Sequence, residues 1–159
     1  MKEKMKLSLK ESTFSELKER LAKAHSHKFF FESIYLISIL IENRVERLIK
    51  VAGITIPSKT SRTKTNVDNI LSLSEKLKVI KKLLSADKAD VDLLNNHFDE
   101  RLIVEVENWL KERNTILNGM TKICPEPAGL AELVFSGEMV LTNLAYSVKQ
   151  YKKEAKDTQ

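Results

Sequence analysis

Hydrophobic residues recur every three or four positions along most of this chain, which is the spacing of helices with one buried face. The pattern predicts a first helix over residues 13–25, and Thr13 and Glu16 form a capping box at its start. The stretch KFFFESIYLISILIENRVERLIKVAG follows, apolar on nearly all sides in its first half, and Gly53 ends it. We expect this second helix at the centre of a bundle, at a contact between subunits, or both.

The second half of the chain predicts three further helices. One lies within residues 67–85, with Ser72 and Glu75 as another capping box. A continuous helix is expected over 97–120 and a last one over 128–154. The intervening segments are expected to be a basic loop over 54–66, which contains a proline, β-branched residues and hydroxyls, and an acidic connector over 86–96.

No alternation typical of strands and no internal repeat interrupts these helices. The fold class expected is therefore all-α, an up-and-down helical bundle of about five helices. The length fits a single domain over 1–159, with a core over about 12–154 and a charged tail at each end.

Composition supports a folded helical protein and excludes several kinds of site. Hydrophobic residues make up 42% of the chain and charged residues 31%, with four glycines and three prolines. Because Cys124 is the single cysteine, the chain can build neither a disulfide framework nor a thiolate metal cage. The charged N-terminus lacks the apolar core of a signal peptide, and the longest apolar run, 13 residues including Glu32, is too short to cross a bilayer. We expect a cytoplasmic protein with no metal, cofactor or membrane partner.

Charge is concentrated in two neighbouring blocks. The formal net charge is +5, and the block from Lys59 to Lys82 alone carries seven basic residues against two acidic ones. The block from Asp87 to Glu107 carries seven acids against two bases. Such blocks are usually solvated faces or partners of one another. A basic loop and helix face are also where RNA would bind. The candidate RNA-binding residues are Lys59, Arg62, Lys64, Lys78, Lys81 and Lys82.

Arg113 stands out on the long predicted helix. Helical spacing places it on the same stripe as Val106, Trp109, Ile116 and Met120. A charged group among apolar side chains costs free energy unless it has a partner. Arg113 is therefore expected to be tied to a buried acid or kept for a planar anion such as phosphate, which its forked donors suit.

The motif Arg113-Asn114, followed by Asn118-Gly119 and preceded by Trp109, resembles the signature of HEPN domains. These are small prokaryotic helical bundles often found in toxin–antitoxin and antiphage systems. The likeness covers residues 12–154 and includes the apolar early helix with its charged second half. It implies a dimer with a metal-independent ribonuclease site at the symmetric interface. By position, Arg113 would contact the scissile phosphate, Asn114 would support it, and Asn118 would stand where the family has histidine.

Asn118 changes what the resemblance implies, because an amide cannot exchange a proton near neutral pH. General acid–base help contributes about a hundred- to ten-thousandfold to such reactions. A site with asparagine at this position is therefore expected to be a degenerate ribonuclease site. His97 lies sixteen residues before Arg113, so only an antiparallel partner subunit could bring it close.

Three hypotheses follow for the function. The first is a HEPN-like accessory that associates with RNA, a nucleotide or a partner protein in a prokaryotic defence or toxin–antitoxin setting. The second is a weakly active metal-independent endoribonuclease that uses Arg113 and Asn114 at a dimer interface. The third is a structural helical adaptor with no nucleic-acid role. The expected partners are a second copy of the chain, RNA, and a cognate antitoxin or other protein.

Supporting roles are expected for two residues near this motif. Glu42 could orient Arg113 across the bundle, and the alternative is a surface carboxylate. Trp109 is expected in the core or at a dimer contact rather than stacked on a base, because its neighbours are core types. His25 and His27 have no companion ligands, so they are expected to be exposed linker residues rather than a metal site.

Overall fold

The computed structural model describes residues 13–55, 72–86 and 92–157 of the 159. These residues form a bundle of six helices and contain no strand, which confirms the all-α prediction for the described part of the chain. The helices are α1 (Phe14–Ser26), α2 (Phe30–Val51), α3 (Leu73–Leu84), α4 (Asp92–His97), α5 (Glu100–Gly119) and α6 (Pro127–Asp157).

Both predicted capping boxes are present. At the start of α1, the Thr13 hydroxyl accepts from the Glu16 amide at 3.2 Å, and the Glu16 carboxylate accepts from the Thr13 amide at 2.7 Å. Ser72 and Glu75 make the same reciprocal pair at the start of α3, at 3.3 and 2.9 Å. Each box satisfies backbone donors that the first helical turn leaves unpaired, so these starts follow from local sequence.

The helix predicted over 97–120 is α5, but it begins at Glu100, three residues later than predicted. The chain breaks after α4 at Phe98 and Asp99, and the Asp99 carboxylate accepts from the Leu102 amide at 2.9 Å to begin α5. Aspartate is favoured at a helix N-cap and is a poor interior residue. Phe98 is fully buried at the break. Because α4 occupies 92–97, the predicted acidic connector is helical in its second half, and the described residues contain six helices where about five were expected for the chain.

The core lies mainly between α2, α5 and α6. Helix α2 packs against α6 and α1, and α3 lies against α2 and α5. Trp109 of α5 is only 3% exposed, and its indole N–H donates to the Leu133 carbonyl oxygen at 2.9 Å. A Cβ on Gly137 would lie 2.6 Å from the Trp109 Nε1 atom, so glycine permits this close approach. Trp109 is therefore a core residue.

Several large apolar side chains remain on the outer surface. Phe31 and Tyr35 of α2 are exposed, as are Phe135, Met139 and Tyr146 on the face of α6 opposite the core. None of the helices in the described ranges combines the length and the apolar character needed to span a bilayer.

Candidate anion-binding site

Arg113 lies at the edge of the core rather than within it. The buried stripe of α5 ends at Leu110, Ile116 is half-buried, and Met120 is 39% exposed. The expectation that the stripe continues to Met120 as a buried seam is therefore wrong. Arg113 itself is half-buried, so solvent can still reach part of its side chain.

Two neutral side chains hold the Arg113 guanidinium in place. Its Nη1 atom donates to the Ser38 hydroxyl on α2 at 2.8 Å. Its Nε and Nη2 atoms both donate to the Asn114 side-chain oxygen, at 3.2 and 2.8 Å. Ser38 in turn donates to the Ile34 carbonyl oxygen at 2.8 Å, so its hydroxyl offers a lone pair to Arg113. The arginine thus connects α5 to α2.

The positive charge of Arg113 is not neutralised by the protein in the ranges 13–55, 72–86 and 92–157. No carboxylate of those residues lies within ion-pair distance of its guanidinium. The Nε and Nη2 edge, which binds carboxylates and phosphates with two parallel hydrogen bonds, faces the amide oxygen of Asn114. Asn114 is exposed, so its side chain can rotate away and an oxyanion can take its place. The arrangement can bind an anion.

Asn118 does not share this position with Arg113. It is exposed and lies five residues later, which is about 7.5 Å along α5 and about 140° around its axis. Arg113 and Asn114 are joined by hydrogen bonds, but Asn118 projects from another side of the helix. A site that uses Arg113 and Asn118 together would need a second copy of the chain to supply one of them.

The suggested pairing of Glu42 with Arg113 is wrong. The Lys76 ammonium on α3 donates to the Glu42 carboxylate at 3.1 Å and to the Glu46 carboxylate at 2.7 Å. Lys76 is 4% exposed. Burial alone lowers the pKa of Lys76, but the hydrogen bonds from Glu46 and Glu42 outweigh it, and the pKa stands above its ordinary value. Glu42 is therefore one of two carboxylates that pair with Lys76. It neither supports Arg113 nor stands as a free surface carboxylate.

Sequence reasoning did not single out Lys76, although a signal was present. Lys76 lies between Leu73, Leu77 and Ile80, which share one helical face of α3. A lysine on an apolar stripe predicts a carboxylate across the contact, for the same reason that Arg113 attracted attention. The identity of that partner depends on how α3 packs against α2, which the local pattern does not contain.

Part of the basic block forms ion pairs with other residues of the bundle. Lys81 lies 3.3 Å from the Glu107 carboxylate and 3.9 Å from that of Glu100, so part of the basic block pairs with the acidic block. Glu107 thus makes an ion pair between α5 and α3. Lys78 and Lys82 are exposed. The other candidates, Lys59, Arg62 and Lys64, lie outside the described residues.

The histidines occupy other parts of the bundle. His25 lies in the last turn of α1, where its Nδ1 atom is 2.8 Å from the Glu138 carboxylate of α6, so the prediction of an exposed linker residue is wrong for it. His27 is exposed, as expected. His97 ends α4, 2.9 Å from the Glu154 carboxylate and far from Arg113 along α5. Within the ranges that the structure describes, no three metal-ligating side chains converge.

The residues that carry the HEPN resemblance thus have three different environments. Arg113 bridges two helices at the edge of the core, Asn114 lies against it, and Asn118 faces solvent. No family model matches this chain, and neither a curated protein nor a solved structure is similar to it.

Proposed function

We propose that this chain is a HEPN-like domain with a degenerate ribonuclease site, which binds RNA through Arg113 without cleaving it efficiently. Its setting would be that of an accessory in prokaryotic defence or a toxin–antitoxin pair. The observation that carries the proposal is the half-buried guanidinium of Arg113, held by Ser38 and Asn114 and left without a carboxylate among the described residues. The side chain is oriented before any ligand arrives.

Electrostatics favours an anionic ligand at this position. Partial burial weakens the hydration of a cation, and neutral hydrogen-bond partners return only part of that loss. A phosphate oxygen at the Nε and Nη2 edge of Arg113 would gain charge-assisted hydrogen bonds at the cost of the amide contact to Asn114. The exposed Lys78 and Lys82 add positive charge that would attract RNA without reading its sequence.

Single-stranded RNA labelled with a fluorophore tests the proposal by anisotropy. Arg113→Ala should weaken RNA binding by about tenfold or more, since it removes a hydrogen-bonded charge contact. Arg101→Ala is the matched control, because Arg101 is an exposed arginine on the same helix, about 18 Å away along its axis. Equal losses in the two variants would indicate diffuse electrostatic attraction, and unchanged binding in Arg113→Ala would contradict the proposal.

The alternative of a weakly active endoribonuclease uses the same residues with a second copy of the chain. In the absence of metal, it predicts RNA fragments with cyclic phosphate ends, formed by wild-type protein and absent with Arg113→Ala. Because Asn118 and Arg113 are separated around α5, this activity also requires a dimer. RNA that stays intact, or a protein that is monomeric at micromolar concentration by light scattering, would contradict this alternative and leave the binding proposal standing.

A structural adaptor is the remaining alternative, and one observation favours it. Arg113 already connects α5 to α2 through Ser38, which is a structural role. The exposed Phe135, Met139 and Tyr146 on α6 offer an apolar surface that a protein partner or second copy would cover. This alternative predicts that Arg113→Ala lowers the thermal midpoint of unfolding while RNA affinity stays unchanged.

A further inference from the structure

A second concentration of positive charge lies away from Arg113. A groove of about 680 Å³ opens between the start of α1, the second half of α2 and the second half of α6. Its wall on α2 includes Arg44 and Arg47, which point about 240° and 180° around the helix from Ser38. The groove therefore lies on the side of α2 that faces away from the Arg113 site.

Five basic residues line this groove, and no acidic partner for them is found among the described residues. They are Arg44, Arg47, Lys50, Lys149 and Lys152. None of them has a carboxylate within ion-pair distance among the residues that the structure describes. Glu46 is the acidic residue of the lining, and its carboxylate is bound to Lys76. The groove thus concentrates positive charge that the carboxylates in ranges 13–55, 72–86 and 92–157 do not neutralise.

Arg44 is held rigidly within the groove. Its guanidinium carbon lies 3.7 Å from the centre of the Phe14 ring, and its Nη2 atom donates to the Asn43 side-chain oxygen at 2.6 Å. The Arg44 Nε atom is buried and has no hydrogen-bond partner within the described ranges. Burial and the neighbouring charge of Arg47 lower the pKa of Arg44. An anion in the groove would relieve this crowding of charge.

We propose that this groove binds a compact ligand carrying several phosphate groups. The basic residues recur at every third position, which confines them to about 9 Å along α2 and about 4.5 Å along α6. An RNA strand needs charge that follows its backbone over a longer path, whereas these cations converge on one place. The volume also falls within the range of small-ligand sites. Guanidinium and ammonium groups together suit the many oxygens of a phosphate chain.

This site is independent of the proposed function, because it shares no residue with the Arg113 site. Failure of one proposal therefore leaves the other intact. Arg113→Ala should leave phosphate-chain binding unchanged, and this variant separates the two proposals in a single experiment.

Titration calorimetry with inorganic tripolyphosphate tests the groove directly. Wild-type protein should bind one equivalent, with an affinity that falls as salt rises. The double variant Lys149→Glu/Lys152→Glu should bind at least about tenfold more weakly, since two contacts become repulsive. The control Lys153→Glu/Lys156→Glu makes the same change in net charge on the last turns of α6, outside the groove, and should stay within about twofold of wild type.

Three outcomes with phosphate ligands would overturn the proposal, and a fourth with RNA would do so too. They are equal weakening in the two double variants, no binding of tripolyphosphate by wild type at millimolar concentration, and orthophosphate binding as tightly as tripolyphosphate. RNA that binds through Lys149 and Lys152 more tightly than tripolyphosphate would also overturn the assignment to a compact ligand. Circular dichroism must show that each variant is folded. If Lys149→Glu/Lys152→Glu is not, Lys50→Gln replaces it, with an expected loss of about threefold.

A comparison of the affinities for ATP and tripolyphosphate then shows whether the groove recognises an inorganic phosphate chain or a nucleotide. Equal affinities would show that the chain alone is recognised, as expected for inorganic polyphosphate. Tighter binding of ATP would show that a nucleoside contributes as well. Both results support a site for a phosphate chain.

Discussion

Lys76 and Arg113 are two cations at helix contacts, and the protein treats them differently. Lys76 of α3 is 4% exposed and is held by the carboxylates of Glu42 and Glu46. Arg113 of α5 is half-buried and is held by a hydroxyl and an amide. The first cation is compensated by the fold. The second is positioned by the fold, and no carboxylate of the described ranges pairs with it.

The difference indicates how a structural cation can be told from one that awaits a ligand. A buried ammonium needs charge of opposite sign, because hydration is lost on burial. Neutral partners fix the orientation of a half-buried guanidinium. Some of its N–H donors then remain available for a ligand. We therefore assign Lys76 to the stability of the bundle and propose Arg113 for ligand binding.

The largest expected effect comes from restoring a proton carrier at position 118, which a second copy of the chain would have to bring to Arg113. Asn118→His places an imidazole at the position where the resembled family has histidine, and Asn118 is exposed, so the change should be tolerated. If the site is a degenerate ribonuclease, metal-independent RNA cleavage should rise by about a hundredfold or more. Gel analysis of an end-labelled RNA without metal measures it.

Two controls make this gain of activity informative. The double variant Arg113→Ala/Asn118→His should lose the new cleavage, because the phosphate contact is gone. Asn108→His places a histidine at an exposed position on the same helix and should have no effect. A purified Asn118→His protein that leaves RNA intact would remove the main functional support for the HEPN resemblance.

A second prediction compares the stability contributions of the two cations. Lys76→Met should lower the free energy of unfolding by about 1–2 kcal/mol, because it removes two charge-assisted hydrogen bonds whose partners are partly solvated. It also leaves Glu42 and Glu46 to repel each other one turn apart on α2. Arg113→Met should lower the free energy by less than about 1 kcal/mol, because its hydrogen bonds go to neutral groups that water can satisfy and no ion pair among the described residues is lost. Urea unfolding followed by circular dichroism measures both.

Lys78→Met serves as the control for this pair of variants. Lys78 is an exposed lysine on α3, so its replacement should have an effect below about 0.5 kcal/mol. If Arg113→Met destabilises the protein as much as Lys76→Met, then Arg113 is a structural residue. That result would favour the adaptor alternative over RNA binding.

The parts of the fold that sequence predicted well are those determined locally. The starts of α1 and α3 follow from capping boxes whose members lie three residues apart. The break at Asp99 was missed because aspartate can end one helix or lie on the surface of a longer one. The burial of Phe98 distinguishes these cases, and it depends on tertiary packing. The existence of a helix was thus easier to predict than the residue at which it begins.

The candidate site shows the same limit. Asn114 was predicted beside Arg113, and the two are hydrogen-bonded neighbours. Ser38, the partner from α2, is 75 residues away in sequence, and no local pattern links them. The partner predicted for Glu42 was wrong for a similar reason. The observed partner, Lys76, reaches Glu42 only when α3 is packed against α2. Periodicity alone could not predict which side chains pair across helices.

The smallest expected effect is a dependence of the unfolding free energy on pH at alkaline values. It tests the contribution of Lys76 by itself. The pKa of Lys76 is raised above its ordinary value of 10.5 in the folded protein, because the hydrogen bonds to Glu46 and Glu42 outweigh its burial. A raised lysine pKa contributes stability in full below pH 10.5, and this contribution is lost as pH rises through the folded value. Burial also raises the pKa of Tyr151, whose contribution declines in the same direction. The difference in unfolding free energy between wild type and Lys76→Met cancels the Tyr151 contribution. This difference should be constant from neutral pH to about 10.5 and should shrink above that pH. If the difference instead stays constant at higher pH, the ammonium charge of Lys76 does not stabilise the contact between α2 and α3.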